Sequence, residues 1–548
     1  MRAVPGSACC LLQIKNDTVE KTMTQLMKST SRLAIAAMAG VLATSVNAAD
    51  LGGNCCADLE ERVAELEATT ARKGNRKVSL QIYGQVSESV IYWNDGAEGN
   101  VYVQENNAVQ NRVGFTGGAK ITSDWSAGYK LELQIRSYRS SAANQLSQGE
   151  VNGVNIAAYN TQSVALREAN WWLHSATWGR VTVGRSISAV TGTSTINLAQ
   201  TDGFQASGAN MGQATQGFFM RRSGAGNAGN KSLSAITFGG FAYMRNGDSP
   251  AGFDYAQTTS SIKYTSPFFL GQSKSSGFQF SADWGQDDAW SSALRFVEDY
   301  GIFRFAAGVG YFQHTAGGDR GHCANASTAN PSPDTTHAAA GAAAGGTTQG
   351  VSRTHCDAWQ ASASLMHAPT GLYMSGGGGW INDSERNSLF NITRNTAAGA
   401  GSTDENPRNL AKVDDQDNWW WIQAGWEAKL NSLGKTTFYG TYSQFNNGAA
   451  MANGQVTTIA SNDVLNSMGA TANILGSKTT VWGMGVTQAI DAAAMNLFLG
   501  YVNTGTSGTL GTATGNNATI GVNAGNVRGK ANSVEDIHVI YSGATIKF

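Results

Sequence analysis

The chain has 548 residues, 41% of them hydrophobic, and its 38 Lys and Arg against 39 Asp and Glu give a formal net charge of -1. That balance excludes a disordered polyelectrolyte and a nucleic-acid-coating protein, so no nucleic-acid partner is expected. Its 66 glycines, about 12% against a usual ~7%, and 7 prolines, about 1% against ~5%, favour long strands with glycine at bends, because proline interrupts a hydrogen-bond ladder.

Residues 1–48 read as a secretory signal. Lys28 and Arg32 form a positive start, Leu33 to Val46 is a short apolar core, and Val46-Asn47-Ala48 offers the small residues that a signal peptidase needs. The mature chain is expected to begin at Ala49, and residues upstream of Met23 or Met27 read as an over-extended start. Cleavage removes five basic and two acidic side chains, leaving 33 Lys and Arg against 37 Asp and Glu. Beyond Val46 no run approaches the ~20 apolar residues of a membrane helix. A membrane location would therefore require a closed barrel, the other structure that satisfies every backbone polar group in lipid.

Residues 49–74 are predicted to hold a short helix. Between Asp58 and Lys73, Leu59, Val63, Leu66 and Thr70 fall at alternating spacings of four and three. Two heptads are too few for an isolated coiled coil, so the segment is either a stalk held together by a larger trimer or a single solvated helix.

From residue 75 to the end, the period becomes two. Val78, Leu80, Ile82, Gly84 and Val86 alternate with Ser79, Gln81, Tyr83 and Gln85; Tyr129, Leu131, Leu133 and Ile135 alternate with Lys130, Glu132, Gln134 and Arg136. A polar face, charged at three of its four positions in the second strand and backed by an apolar one, suits a wall between water and lipid. Phe303 to Tyr311 and Met495 to Val502 repeat the theme less cleanly. Turns such as Ser432 to Lys435 alternate with polar loops such as Gly317 to Arg353, the pattern of a barrel with one short-turned rim. The fold class is thus all-β, a transmembrane antiparallel barrel of 16 or 18 strands over residues 75–548.

A soluble β-sandwich would also alternate. Against it stand the export signal, the aromatic clusters Trp171-Trp172, Trp419-Trp420-Trp421 and Trp426 where interfacial girdles would lie, and a last strand ending on Phe548.

Several stretches resemble the porins of alphaproteobacteria: Cys55 to Leu80, Trp178 to Arg185 (WGRVTVGR), Ser261 to Pro267 (SIKYTSP), Leu433 to Tyr442 (LGKTTFYGTY), Gln488 to Tyr501 (QAIDAAAMNLFLGY) and the terminal Phe548. The resemblance implies a homotrimer of 16-stranded barrels in the outer membrane of a Gram-negative bacterium, among its lipids and lipopolysaccharide. It further implies that the loop after Arg185, from Ile187 to about Ser223, folds inward and narrows the channel, where acidic loop residues face arginines on the wall. Asp202 is the only carboxylate of that loop, which makes strong cation selectivity doubtful. Arg112, Lys130, Arg136, Arg167 and Arg185 are the basic candidates; the alternating pattern puts Glu132 and Arg136 on the wall, whereas the run around Arg167 does not alternate. Phe548 resembles the signal read by the outer-membrane insertion machinery, and Ala49-Asp50 resembles mature ends joined to peptidoglycan.

No Gly-x-Ser-x-Gly nucleophile elbow occurs. Gly224 to Gly229 matches a dinucleotide fingerprint by spacing without a strand-to-helix unit around it, and Gly434-Lys435-Thr436 reads as a turn. No cofactor is expected. Cys323 and Cys356, following His322 and His355, flank a loop and are expected to form a disulfide in the oxidising compartment; a Cys/His metal site is the alternative. The expected function is passive diffusion of small hydrophilic solutes and ions, with a solute-specific channel, a barrel tethering membrane to peptidoglycan, or an outer-membrane hydrolase as the rival readings.

Overall fold

The computed structural model describes residues 78–106, 108–136, 143–146, 163–201, 214–223, 232–239, 259–285, 289–314, 356–383, 416–446, 458–459, 463, 472–513, 526–530 and 532–548. The expected signal, the 49–74 helix, Asp202 and Cys323 lie outside the described residues.

Sixteen antiparallel strands form the wall: β1 (Gln81–Asn94), β2 (Arg112–Lys120), β3 (Trp125–Arg136), β4 (Ser163–Ser175), β5 (Gly179–Ser186), β6 (Thr259–Thr265), β7 (Gly277–Gly285), β8 (Trp290–Asp299), β9 (Phe303–His314), β10 (Cys356–His367), β11 (Leu372–Asp383), β12 (Gln416–Ala428), β13 (Thr436–Asn446), β14 (Ala472–Ile490), β15 (Met495–Ala513) and β16 (Ile537–Lys547). Each pairs with its chain neighbours, and β16 returns to β1 from Gln85↔Lys547 to Asn94↔His538, closing the barrel. The seam extends one residue further. Phe548 and Gly84 exchange backbone hydrogen bonds at 2.8 and 3.1 Å, and the Phe548 ring lies where a Cβ on Gly84 would sit 2.5 Å from its Cζ. No helix among the described residues is long and apolar enough to cross a membrane, a statement that bears on helices only.

The tight connections 121–124, 176–178, 300–302, 368–371 and 491–494 share one rim. The alternation read at Val78 to Val86 and Tyr129 to Ile135 recurs in the other strands, broken at register shifts in β4 and β14. Outward positions such as Ile82, Ile262, Trp284, Met374 and Met484 are more than half exposed, while inward Ser87, Glu132, Ser281 and Gln423 are buried. An apolar outer band with an inward polar set is stable only if the outside meets hydrocarbon.

The aromatic clusters divide between the two faces, a correction to the girdle reading. Trp171, Trp420 and Trp426 point outward and are well exposed, whereas Trp172, Trp419 and Trp421 are buried on the lumen side. Consecutive residues of a strand face opposite ways, so a run of three tryptophans cannot lie in one girdle.

The interior is not evenly polar. Trp93, Phe498, Val502 and Tyr541, on the inner faces of β1, β15 and β16, form one apolar cluster with Phe218, Met220 and Phe238 from the connection after β5. Trp93 and Phe218 lie 5.2 Å apart by ring centroid, and the Thr215 and Thr504 hydroxyls are 2.8 Å apart. The inward Phe498 and Val502 that weakened the alternation of β15 are thus seats for this connection.

Candidate functional site

Four of the sequence-selected residues meet on the inner face of β2–β4. The Glu132 carboxylate, 2% exposed, accepts a hydrogen bond from Tyr83 Oη at 2.7 Å and pairs with Arg167 Nε at 2.8 Å, Lys130 Nζ at 3.4 Å and Arg112 Nη1 at 3.5 Å. Lys130 also pairs with Glu168 at 2.6 Å. A carboxylate withdrawn this far from water needs partners, and three bases share it.

Two backbone irregularities build this cluster. The β3–β4 register steps from Glu132↔Glu168 to Leu133↔Leu166, leaving Arg167 as the extra residue of a bulge. The bulge turns Arg167 and Glu168 to the same side, which is why that run fails to alternate in sequence. Between the segment Gly99–Glu105, which pairs with upper β1, and β2, which pairs with lower β1, residues 106 and 108–111 form a buried knuckle with Gln110 at a φ of 58°. Its Val109 carbonyl accepts from Arg112 Nη2 and from Gln85 Nε2, both at 2.5 Å, and Gln110 Oε1 accepts from Arg167 at 3.4 Å. Nothing in the sequence pattern marked this knuckle.

Arg185, expected on the pore wall, takes the other face. Its row runs through Val183↔Ile262 and Trp171↔Val183, all outward, and Arg185 is exposed beside Ser260. Its Nε donates to the Arg167 carbonyl at 3.3 Å. Arg136 ends β3 opposite Ser163, at the limit of the described residues, and Asp202 lies outside them.

The connection after β5 does turn inward. Along 187–198 its backbone is held by inward side chains of five strands. Lys263 on β6 donates to Ile187 O at 2.5 Å, Asp283 on β7 accepts from Ala189 N, and Arg295 on β8 donates to Ala189 O and Thr191 O, each at 2.7 Å. Gln360 and Ser362 on β10 donate to Val190 O at 2.8 Å and Thr193 O at 2.7 Å, and Trp421 Nε1 on β12 donates to Ser194 O at 2.8 Å. The connection packs closely on two glycines: a Cβ on Gly308 would meet Ile196 Cδ1 at 2.8 Å, and one on Gly310 would meet Val190 Cγ2 at 2.5 Å, so either side chain would have to shift.

The connection then reaches the opposite wall. Arg221 binds Asp95 at 2.7 Å and also Glu98, just beyond β1, and Ser223 N donates to Ser533 O at 2.9 Å. Burial pushes the Asp95 carboxyl up, but bonds from Glu98 N, Arg221, Gln145 and Ala97 N outweigh it and hold it below the ordinary carboxylate range. Sequence reasoning missed Lys263, Asp283, Arg295 and Arg221. The first three sit on alternating strands, so parity with Phe280, Trp284 and Leu294 was the available signal.

No protein-family model matches the chain, and no curated protein matches it in sequence. Among solved structures it is similar to an anion-selective porin from Comamonas acidovorans at 13% identity, covering 86% of this chain and 100% of that one with a TM-score of 0.43. OprB of Pseudomonas putida overlaps at 10% identity, 90% and 97% coverage and a TM-score of 0.44. The outer-membrane channel DcaP of Acinetobacter baumannii overlaps at 9% identity, 87% and 100% coverage and a TM-score of 0.40. Those likenesses concern the fold alone.

Proposed function

We propose that this chain is a porin of a Gram-negative outer membrane, a water-filled channel through which small hydrophilic solutes and ions diffuse passively, with no chemistry of its own. The observation that carries the reading is the closed barrel with an apolar outside, a charged inner wall, and the described parts of one connection, 187–201 and 214–223, seated against its interior. Fixed charges beside a constricted aqueous path sort solutes by size and charge without binding any of them tightly. The reading includes the resemblance to alphaproteobacterial porins, export by the 1–48 signal, the Cys323–Cys356 disulfide and Phe548 as the assembly signal.

A homotrimer belongs to the same proposal, and Arg185 supports it. An arginine on the lipid face of a barrel costs about 2–4 kcal/mol near the bilayer midplane. Arg185 is exposed on the outer face, and its neighbour β4 carries outward apolar residues, Leu166 and Val164, further towards the rim opposite the tight connections. Another copy packed on this face would remove that cost. Purified protein in planar bilayers is expected to insert in ohmic conductance steps grouped in threes; an absence of steps overturns the channel. Arg185→Leu is expected to lower the temperature at which the oligomer dissociates on an unboiled gel, and an unchanged temperature places Arg185 outside the interface.

A further inference from the structure

The charges left facing the lumen are unequal in sign and in depth. On β2–β5 the inward ionisable groups include four bases, Arg112, Lys130, Arg167 and Arg180, against the carboxylates Glu132 and Glu168. Both carboxylates are almost fully buried, at 2% and 4% exposure, while the Arg112 and Lys130 side chains above them retain 17%. A solute passing this wall therefore meets ammonium and guanidinium groups, with the negative charge held behind them.

Hydrogen-bonding capacity is skewed the same way. Gln134 Nε2, Trp172 Nε1 and Arg180 Nε are buried donors with no acceptor among the described residues. The two carboxylates on this stretch are already engaged: Glu132 by Tyr83 and three bases, Glu168 by Lys130 and Asn170. These buried donors add positive polarity to the wall from behind its surface, while the partly exposed Arg112 and Lys130 heads are the groups a solute would touch. The Arg180 guanidinium is also held in place, 4.5 Å over the Trp172 ring.

On the adjoining strands β6 and β8, Lys263 and Arg295 lie beneath the inward connection with Asp283 and Glu168 as described counter-charges, so this group adds no net negative charge. Charges in a low-dielectric cleft focus their field along the open path.

We propose that the inner face of β2–β5 is an anion track, so that the channel passes small anionic solutes in preference to cations; this rests on the channel reading above and adds the class of solute. The test is the reversal potential of wild-type protein in a planar bilayer under a potassium chloride gradient. A chloride-to-potassium permeability ratio above one is expected, falling about two- to fivefold in Arg180→Gln and in Lys130→Gln, the size of one partly screened charge interaction. Arg180→Lys, which keeps the charge, is expected to restore most of the ratio, separating charge from a packing defect. Conductance steps with a ratio at or below one overturn the track and leave the channel standing, whereas no steps overturn both. A ratio above one that neither glutamine variant lowers overturns the assignment to this wall.

Discussion

The wall of β2–β5 and the wall of β6–β12 present the same kinds of inward side chain to one lumen, yet spend them differently. On the first, Arg112, Lys130 and Arg167 neutralise Glu132 and Glu168, side chain against side chain, and the outer edge of the cluster stays wet. On the second, Lys263, Asp283 and Arg295 bind the backbone of residues 187–191 and disappear beneath it. The difference teaches that inward charge on a barrel strand does not by itself mark a pore-lining residue. What matters is whether another segment claims its hydrogen-bonding capacity first.

The comparison can be broken most severely at Glu132. Replacing it with leucine leaves three closely packed cations without their shared partner, and loss of a buried counter-charge is expected to cost about 3–5 kcal/mol. The urea midpoint of the refolded barrel should fall accordingly; an unchanged midpoint would show that water, not Glu132, stabilises those bases.

On the covered wall, Arg295→Met removes the donors to Ala189 O and Thr191 O. A hydrogen bond from a charged group contributes about 1.5–3 kcal/mol, and part of this stays recoverable because freed carbonyls can turn to water. The expected result is a looser connection after β5, read as a larger and noisier single-channel conductance with little change in ion preference. The glutamate substitution should do the reverse, altering preference more than conductance.

The smallest effect lies at the mouth, where Asp95 holds Arg221. A carboxyl whose folded pKa is depressed contributes stability that is fully present above its unfolded value, about 3.9. That stability is lost as pH falls through the unfolded value and then the lower folded one. The 214–223 arm should therefore become more open to protease as pH drops from 5 towards 3, measured by cleavage near Arg221 and Arg222. Asp95→Asn should show the acid-like pattern already at pH 7; identical cleavage in wild type and variant would mean that the Trp93 and Phe218 contact alone anchors the arm.

Much of the wall was legible beforehand because a period of two survives any tertiary context in which one face meets lipid. Leu131 and Ile135 outward with Lys130 and Glu132 inward follow from the local pattern alone. Arg167 was readable only in part, since its bulge breaks the period that would assign it a side. Arg185 has no clear side in the sequence because its strand is short and its glycine neighbour Gly184, with a φ of 117°, gives no sidedness of its own. Strand parity alone separates Trp172, Trp419 and Trp421 from Trp171 and Trp420, whereas composition places all five in one class.

By itself the sequence determined that outward and inward faces exist, roughly where strands turn, and that the stretch after Arg185 is too long to be an ordinary turn. Which charges pair with one another, which are consumed by that stretch, and which remain in contact with water were decided only by the closed barrel. Closure and shear bring together strands far apart in the chain, such as β6 and β12 around residues 187–196, and hydrogen bonds at 2.5 to 3 Å depend on that placement rather than on the local alternation of residues.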